Sequence, residues 1–314
     1  MAGSKSVVLA ALVANGAIAI LKFFAFVLTG SPSMLSEVYH SISDTGNQVF
    51  LLVGIRYSGR APDQGHPFGY GKAQFFYSFL VSVLLFGIAG WESLKHGYGA
   101  IMDPHVSTLD PITLFGIGPF PPWYVSVVVL LGAIAFETYA FVKANAELQR
   151  QITTYGWSGI REAFRKTSDV TTLTAYTEDT IALVGAGLAL VGIVLTQLTG
   201  NPIYDAVTAV LIGLLLMGFA LALAWENKRL LLGESLTNDV EADLRAVIQN
   251  HHGVTNVDGF RTMFVGPAEA LVTADVSFDP ELVTGGIDED ISEIEAKLRE
   301  TDDRVKIIYL EPEL

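Results

Sequence analysis

The sequence has no cysteine, which excludes a disulfide framework, a thiolate nucleophile and any cysteine-ligated zinc or iron–sulfur site. Charge is scarce as well: Asp, Glu, Lys and Arg make up 17% of 314 residues, against about one quarter in an ordinary soluble domain. Positive charge is scarcer still, with 19 Lys and Arg against 33 Asp and Glu, so there is no basic surface for a nucleic acid. No His-Glu-x-x-His helix occurs, so the usual signature of a membrane-embedded metallohydrolase is missing. What is present is apolar. Hydrophobic residues account for 51% of the chain and mean hydropathy is +0.43. That is too apolar for a disordered chain and too rich in unbroken apolar runs for a soluble enzyme of this size. Any metal must bind through His, Asp, Glu or carbonyl oxygen.

The charge divides unevenly. Residues 1–224 hold 11 Lys and Arg and 13 Asp and Glu, a net of −2; residues 225–314 hold 8 and 20, a net of −12. A transmembrane domain over 1–224 followed by an acidic cytoplasmic domain over 225–314 is expected. A bilayer core is crossed by roughly 20 apolar helical residues, and stretches of that kind lie at about 7–29, 33–55, 75–95, 121–143, 173–198 and 202–224. The first is too long for a signal-peptide core and no cleavage-site pattern follows it, so no targeting peptide is expected. Loop 56–74 carries Arg56, Arg60 and Lys72, segment 144–172 carries Arg150, Arg161, Arg165 and Lys166, and Lys228 and Arg229 follow the last span. The alternate loops 30–32, 96–120 and 199–201 have neither residue type. The positive-inside rule then predicts a multi-pass cell-membrane protein with both termini in the cytoplasm. Two of the outer turns are alike, Thr29-Gly30-Ser31-Pro32 and Thr199-Gly200-Asn201-Pro202. Loop 96–120 reads as an external excursion, with His96 and His105 as surface residues.

The tail reads as a small α/β module. Residues 238–251 have amphipathic helical spacing, 257–265 and 270–278 read as strands, 288–300 as a charged helix and 305–309 as a last strand. The order αββαβ suggests a ferredoxin-like half-open sandwich.

Ionisable groups inside hydrocarbon cost several kcal/mol and mark a site or pathway by default. His40 and Asp44 are spaced i, i+4, which puts both on one helical face. Together they can supply two legs of a tetrahedral divalent-metal site, with zinc the natural occupant, or else a polar contact between helices. Glu178 and Asp179 are adjacent on the fifth span, about 100° apart around a helix, so only one of them can face a given point. Glu37 is expected near the outer rim as a hydrated side chain. Glu137 is expected about two turns from the inner end of the fourth span, lining a cytoplasmic entrance. Lys22, in the first span, can snorkel or pair with one of these acids. Asp63 and His66, with Tyr70, sit in a Gly-rich inner loop, as a possible second metal site or as a helix cap and turn histidine.

Taken together, several motifs resemble the cation diffusion facilitators, the ZnT-type proton-coupled metal exporters, over about residues 7–311. They are Asn15-Gly16 with Lys22, His40-x-x-x-Asp44, His66-Pro67-Phe68-Gly69-Tyr70-Gly71-Lys72, Leu231-Leu232-Gly233-Glu234-Ser235-Leu236 and His251-His252-Gly253-Val254. Thr177-Glu178-Asp179-Thr180 and Gly200-Asn201-Pro202-Ile203-Tyr204-Asp205 are most like the ninth-type zinc transporter branch. The resemblance implies a homodimer with six transmembrane helices per protomer and a ferredoxin-like tail. It implies export of a divalent cation, Zn2+ first, by alternating access in exchange for H+, with no resident cofactor. His40 would be the neutral ligand, Asp44 and Asp179 the anionic ligands, and Glu178 an auxiliary ligand or proton carrier. Mn2+ or Fe2+ transport and a non-transporting membrane metal sensor are the alternatives. Two positions depart from the family pattern. Ala175 stands where the family's fifth span usually has histidine. In the tail, His251 is kept, but Asp258, Ala274, Tyr309 and Glu311 replace the usual zinc ligands, so a dimerisation module without a full zinc cluster is expected.

Overall fold

The computed structural model describes residues 2–104, 111–114, 117–166 and 170–313. Two compact units emerge, residues 1–52 with 78–225, and residues 53–77 with 226–314. The stretch expected as an inner loop of the membrane part thus belongs to the compact unit of the tail.

The first unit is helical. Its elements are α1 (Ala2–Thr29), α2 (Pro32–Ser58), α3 (Ala73–Leu84), a π-helical turn (Leu85–Gly90), α4 (Trp91–Met102), α5 (Trp123–Tyr155), α6 (Ile160–Lys166), α7 (Val170–Thr199) and α8 (Ile203–Leu232). A two-stranded antiparallel ribbon, β1 (Ile112–Leu114) and β2 (Ile117–Phe120), precedes α5. Among the described residues, five stretches can cross a membrane by length and composition: Leu12–Thr29, Ala73–Met102, Trp123–Thr154, Ala175–Thr199 and Ile203–Leu232. Helix α2 has 27 residues, about 40 Å at 1.5 Å per residue, but Glu37, His40 and Asp44 make it less apolar. Small residues dominate the packing between helices, among them Ala25, Ala89, Ala186, Ala189 and Ala220, all at most 1% exposed. Such residues let helix backbones approach closely.

Two helices outrun their apolar stretches. The third continues through residues 96–102, expected as loop, and α5 runs on to Tyr155, where Gly156 at φ 66° caps it with its N–H on the Ile152 carbonyl. Hydropathy marks where a helix leaves lipid, whereas the chain stops being helical only at a capping residue. His96 is exposed on α4, its ring 6.3 Å from that of Tyr39; His105 lies outside the described residues. The two similar outer turns prove to be built alike. Thr29 and Thr199 each donate a hydroxyl to the carbonyl four residues back, both at 2.7 Å, and accept the N–H two residues on. Gly30 (φ 63°) and Gly200 (φ 68°) then take the left-handed position that ends each helix.

The second unit carries a three-stranded sheet in the order β3 (Val254–Gly266), β4 (Glu269–Phe278), β5 (Val305–Glu313). The first pair is antiparallel and the second parallel. Helices α9 (Asn238–Gln249) and α10 (Thr284–Thr301) cover it, with Leu244, Ile248, Val272, Val276, Ile294 and Leu298 completely buried between the layers. The αββαβ order is that of the split βαβ pattern without its first strand. Residues 62–72 pack on this unit: Phe68 meets Tyr309 edge to face at 6.4 Å, and the Lys72 ammonium lies 3.8 Å from the Met263 sulfur.

Candidate metal centre

Helix α2 begins at Pro32 and carries Glu37, His40, Ser41, Asp44 and Asn47 at three- and four-residue intervals. That spacing brings all five towards neighbouring helices. His40 is 2% exposed and its Nε2 lies 3.6 Å from Asp44 Oδ2, so the i, i+4 pair forms as the spacing requires. Neither ring nitrogen of His40 has a hydrogen-bond partner among the described residues. A buried imidazole without partners loses its hydration for nothing, unless something else occupies one of its lone pairs.

Lys22 of α1 reaches the same region and is 1% exposed. Its ammonium donates to Glu37 Oε2 at 2.7 Å and to Ser41 Oγ at 2.9 Å. Glu37 is therefore not the hydrated rim residue expected from the sequence: it is completely buried, and its charge is met by Lys22. Periodicity places a residue at a depth along its own helix but carries no information about the neighbouring helix. Across from it, Gly185 of α7 leaves the space that Glu37 fills, since a Cβ there would lie 2.7 Å from Glu37 Oε1.

Helix α7 presents Glu178 to α2. Asn47 Nδ2 donates to its two carboxylate oxygens at 3.4 and 3.5 Å, and Asp44 interacts with it side chain to side chain. Asp179, one residue on, acts electrostatically on Glu137 of α5. Glu178 thus meets α2 directly, and both acids share in the charge around Glu137. Glu137 is 9% exposed and sits in the middle of the long α5, which continues to Tyr155 beyond the apolar span. It feels the charges of Lys22, His40, Asp179 and Glu37. The fold therefore gathers His40, Asp44, Glu178, Asp179, Glu137 and Glu37 into one charged region. It does not close them around a point: among the described residues, no three ligand atoms of this set lie mutually within 4.8 Å.

Asp63 and His66 come together differently. Asp63 Oδ1 accepts the N–H groups of Gly65 and His66 at 2.9 and 2.8 Å, and Oδ2 accepts the Tyr70 hydroxyl at 2.7 Å. The Tyr70 hydroxyl, followed by the His66 amide, holds the Asp63 carboxyl below its usual range, and Asp63 in turn pushes Tyr70 up. The His66 ring stacks on Tyr70 at 4.0 Å, with Nδ1 3.6 Å from Asp63. Both carboxylate oxygens are engaged in shaping the turn.

Three functional candidates escaped the sequence reading. Ser41 and Asn47 lie one residue or one turn from the charged positions, and only the contact with α1 or α7 reveals them. Asp205 is 6% exposed at the start of α8; it accepts the Ser33 hydroxyl and, at 3.3 Å, the Ser33 N–H. It borders a cavity of about 350 Å3 that Thr29, Ser31, Thr196 and Gln197 also line. Its signal in the sequence was an acid inside an apolar run.

Buried charge distributed over helices long enough to cross a bilayer, followed by an acidic α/β module, defines the class: a polytopic membrane protein with an intramembrane ionisable cluster. The chain belongs to the cation efflux family, whose transmembrane domain matches residues 8–232. It is 30% identical over 282 residues to the proton-coupled zinc antiporter SLC30A9, mitochondrial, of Homo sapiens, a match covering 90% of this chain and 47% of that protein. It is 27% identical to metal tolerance protein C4 of Arabidopsis thaliana (89% and 58% covered) and 24% identical to the cation-efflux pump FieF of Klebsiella pneumoniae (84% and 77% covered). The chain thus spans about half the length of its human relative. The family is one of transporters rather than enzymes.

Proposed function

We propose that the chain exports a divalent metal cation, Zn2+ first, from the cytoplasm in exchange for protons by alternating access. The observation that carries this reading is His40, buried with both ring nitrogens unpartnered among the described residues and 3.6 Å from Asp44. The relatives' names, a proton-coupled zinc antiporter and a cation-efflux pump, support the same activity. In this reading α2 is the sixth span, residues 1–224 and 225–314 are the membrane and cytoplasmic domains, and both termini are cytoplasmic. The tail is a ferredoxin-like module through which two copies associate.

His40 binds the ion as neutral imidazole and Asp44 as carboxylate. Glu178 or Asp179 completes the anionic set as α7 turns, and Glu137 and Glu37 line the path of protons or cation. All these groups hold metal when deprotonated and release it when protonated, so proton entry and metal release are one event. Lys22, bonded to Glu37 and Ser41, takes up part of the acidic cluster and so opposes overly tight retention of a dication. Because the loose arrangement of ligands is richer in carboxylate than in imidazole, Mn2+ or Fe2+ is the second reading. Ala175, at the position where the family usually has histidine, favours it.

The test is Zn2+ and Mn2+ flux into proteoliposomes under an imposed pH gradient. Wild type should accumulate metal in step with the gradient, and Asp44→Ala should lose that accumulation. Flux unaffected by the gradient, or retained in Asp44→Ala, would defeat the proposal. Bound metal without any flux would favour a sensor.

A further inference from the structure

Within the C-terminal unit, the turn that joins α9 to β3 brings together a second group of metal-ligating side chains. Helix α9 ends with Asn250 at φ −90°, ψ 1°, and Gly253 at φ 81° turns the chain into the strand. On a continuing helix His251 and His252 would point about 100° apart. The turn instead brings their rings to a centroid separation of 4.6 Å. Both face Asp290 of α10, whose Oδ1 lies 3.4 Å from His252 Nε2 and 3.9 Å from His251 Nδ1. Ligand atoms of the three residues all lie within 4.8 Å of one another. One turn along α10, Glu293 Oε2 is 3.3 Å from His251 Nε2. Tetrahedral zinc with bonds of about 2.0–2.1 Å sets its ligand atoms about 3.3–3.4 Å apart, which the His252–Asp290 and His251 Nε2–Glu293 separations match.

Histidines and acids also meet as plain ion pairs, and two observations point past that. Asp290 is 5% exposed, and its Oδ2 has no hydrogen-bond partner among the described residues. A buried carboxylate left half-satisfied is costly. His251, also 5% exposed, donates Nδ1–H to the His252 carbonyl at 2.8 Å. That bond leaves Nε2, which lies 3.3 Å from Glu293 Oε2, as the nitrogen through which His251 can bind an ion, the way backbone carbonyls orient ligating histidines. Gly253 completes the cradle, because a Cβ there would lie 2.5 Å from Asp290 Oδ2.

We propose that His251, His252 and Asp290 bind a divalent transition metal of the zinc class within a single copy of the C-terminal unit, with Glu293 as the fourth ligand. Two imidazoles with carboxylates suit Zn2+ or Co2+ better than Mg2+ or Ca2+. Of the tail positions where the family resemblance would have put ligands, the site uses His251 and none of Asp258, Ala274, Tyr309 or Glu311; His252, Asp290 and Glu293 are its own. It also stands independently of the transport reading.

The experiment is equilibrium binding of Co2+, as a spectroscopic zinc surrogate, to the full-length chain in detergent with Asp44→Ala removing the intramembrane pair. One Co2+ per protomer should remain, with the visible absorption of four-coordinate cobalt. Adding His252→Ala should weaken that binding by about tenfold or more and bleach the band. The His252 side chain is 79% exposed, so its removal spares the fold. Asp290→Asn, which keeps the shape of the buried side chain, should do the same. Unchanged affinity and spectrum in His252→Ala, or no Co2+ bound to the Asp44→Ala chain, would overturn the assignment.

Discussion

At the residue scale the molecule turns on how buried charges are met. Lys22 and Glu37 are 1% and 0% exposed and 2.7 Å apart, with Ser41 taking a second ammonium proton. Removing one member of such a pair costs about 3–5 kcal/mol, because the other is left charged and unsolvated, whereas removing both is far cheaper. Lys22→Met should therefore lower the thermal midpoint in detergent markedly, and Lys22→Met with Glu37→Met should recover most of it. A double variant no more stable than Lys22→Met would show that the pair is not the unit that matters. Ala175 bears on the cargo. Ala175→His adds an imidazole one turn before Asp179, so competition flux should shift towards Zn2+ over Mn2+, by about tenfold if the new ring enters the coordination sphere. An unchanged ratio would place position 175 outside it.

At the scale of elements, the charged cluster depends on how closely α2 and α7 approach. Gly185 lies where Glu37 needs room, while Gly187, two residues along the same helix, has open space around the position of a Cβ. Gly185→Leu should abolish flux and lower stability, and Gly187→Leu should leave both near wild type; the paired variants are compared by proteoliposome flux and thermal melting. Equal behaviour of the two would mean that helix propensity, not the Glu37 contact, sets the cost. The π-helical turn Leu85–Gly90 is another property of an element that no residue announces.

For the whole molecule, charge decides topology. Loops 56–74 and 144–172 hold Arg and Lys residues and loops 30–32, 96–120 and 199–201 none, while the last ninety residues carry a net of −12; on the proposed topology the first group is cytoplasmic. A chain without cysteine makes the orientation directly measurable. A membrane-impermeant thiol reagent should label Gln64→Cys in inside-out vesicles and Asn201→Cys in right-side-out vesicles, each in one orientation only. The reverse pattern would invert the topology and with it the direction of export. The compact units add that residues 53–77 fold with the tail, which the apolar profile, blind to contacts, assigned to a loop.

Much of this was legible along the chain. Apolar run length announced the long helices because bilayer thickness imposes it. The i, i+4 spacing of His40 and Asp44 announced their contact because helical pitch imposes it, and the two Thr-Gly turns announced matching caps. These are local rules, and sequence alone determined what they govern: the long helices, the αββαβ order and the identity of the charged residues. Tertiary structure decided what depends on a neighbouring element: that Glu37 is buried against Lys22, that α7 turns Glu178 towards Asn47, and that Asp290 lies under two histidines some forty residues earlier. The physical reason is range. Backbone geometry and hydropathy act over a few residues, whereas the cost of burying a charge is set by whichever side chain the fold brings across to meet it.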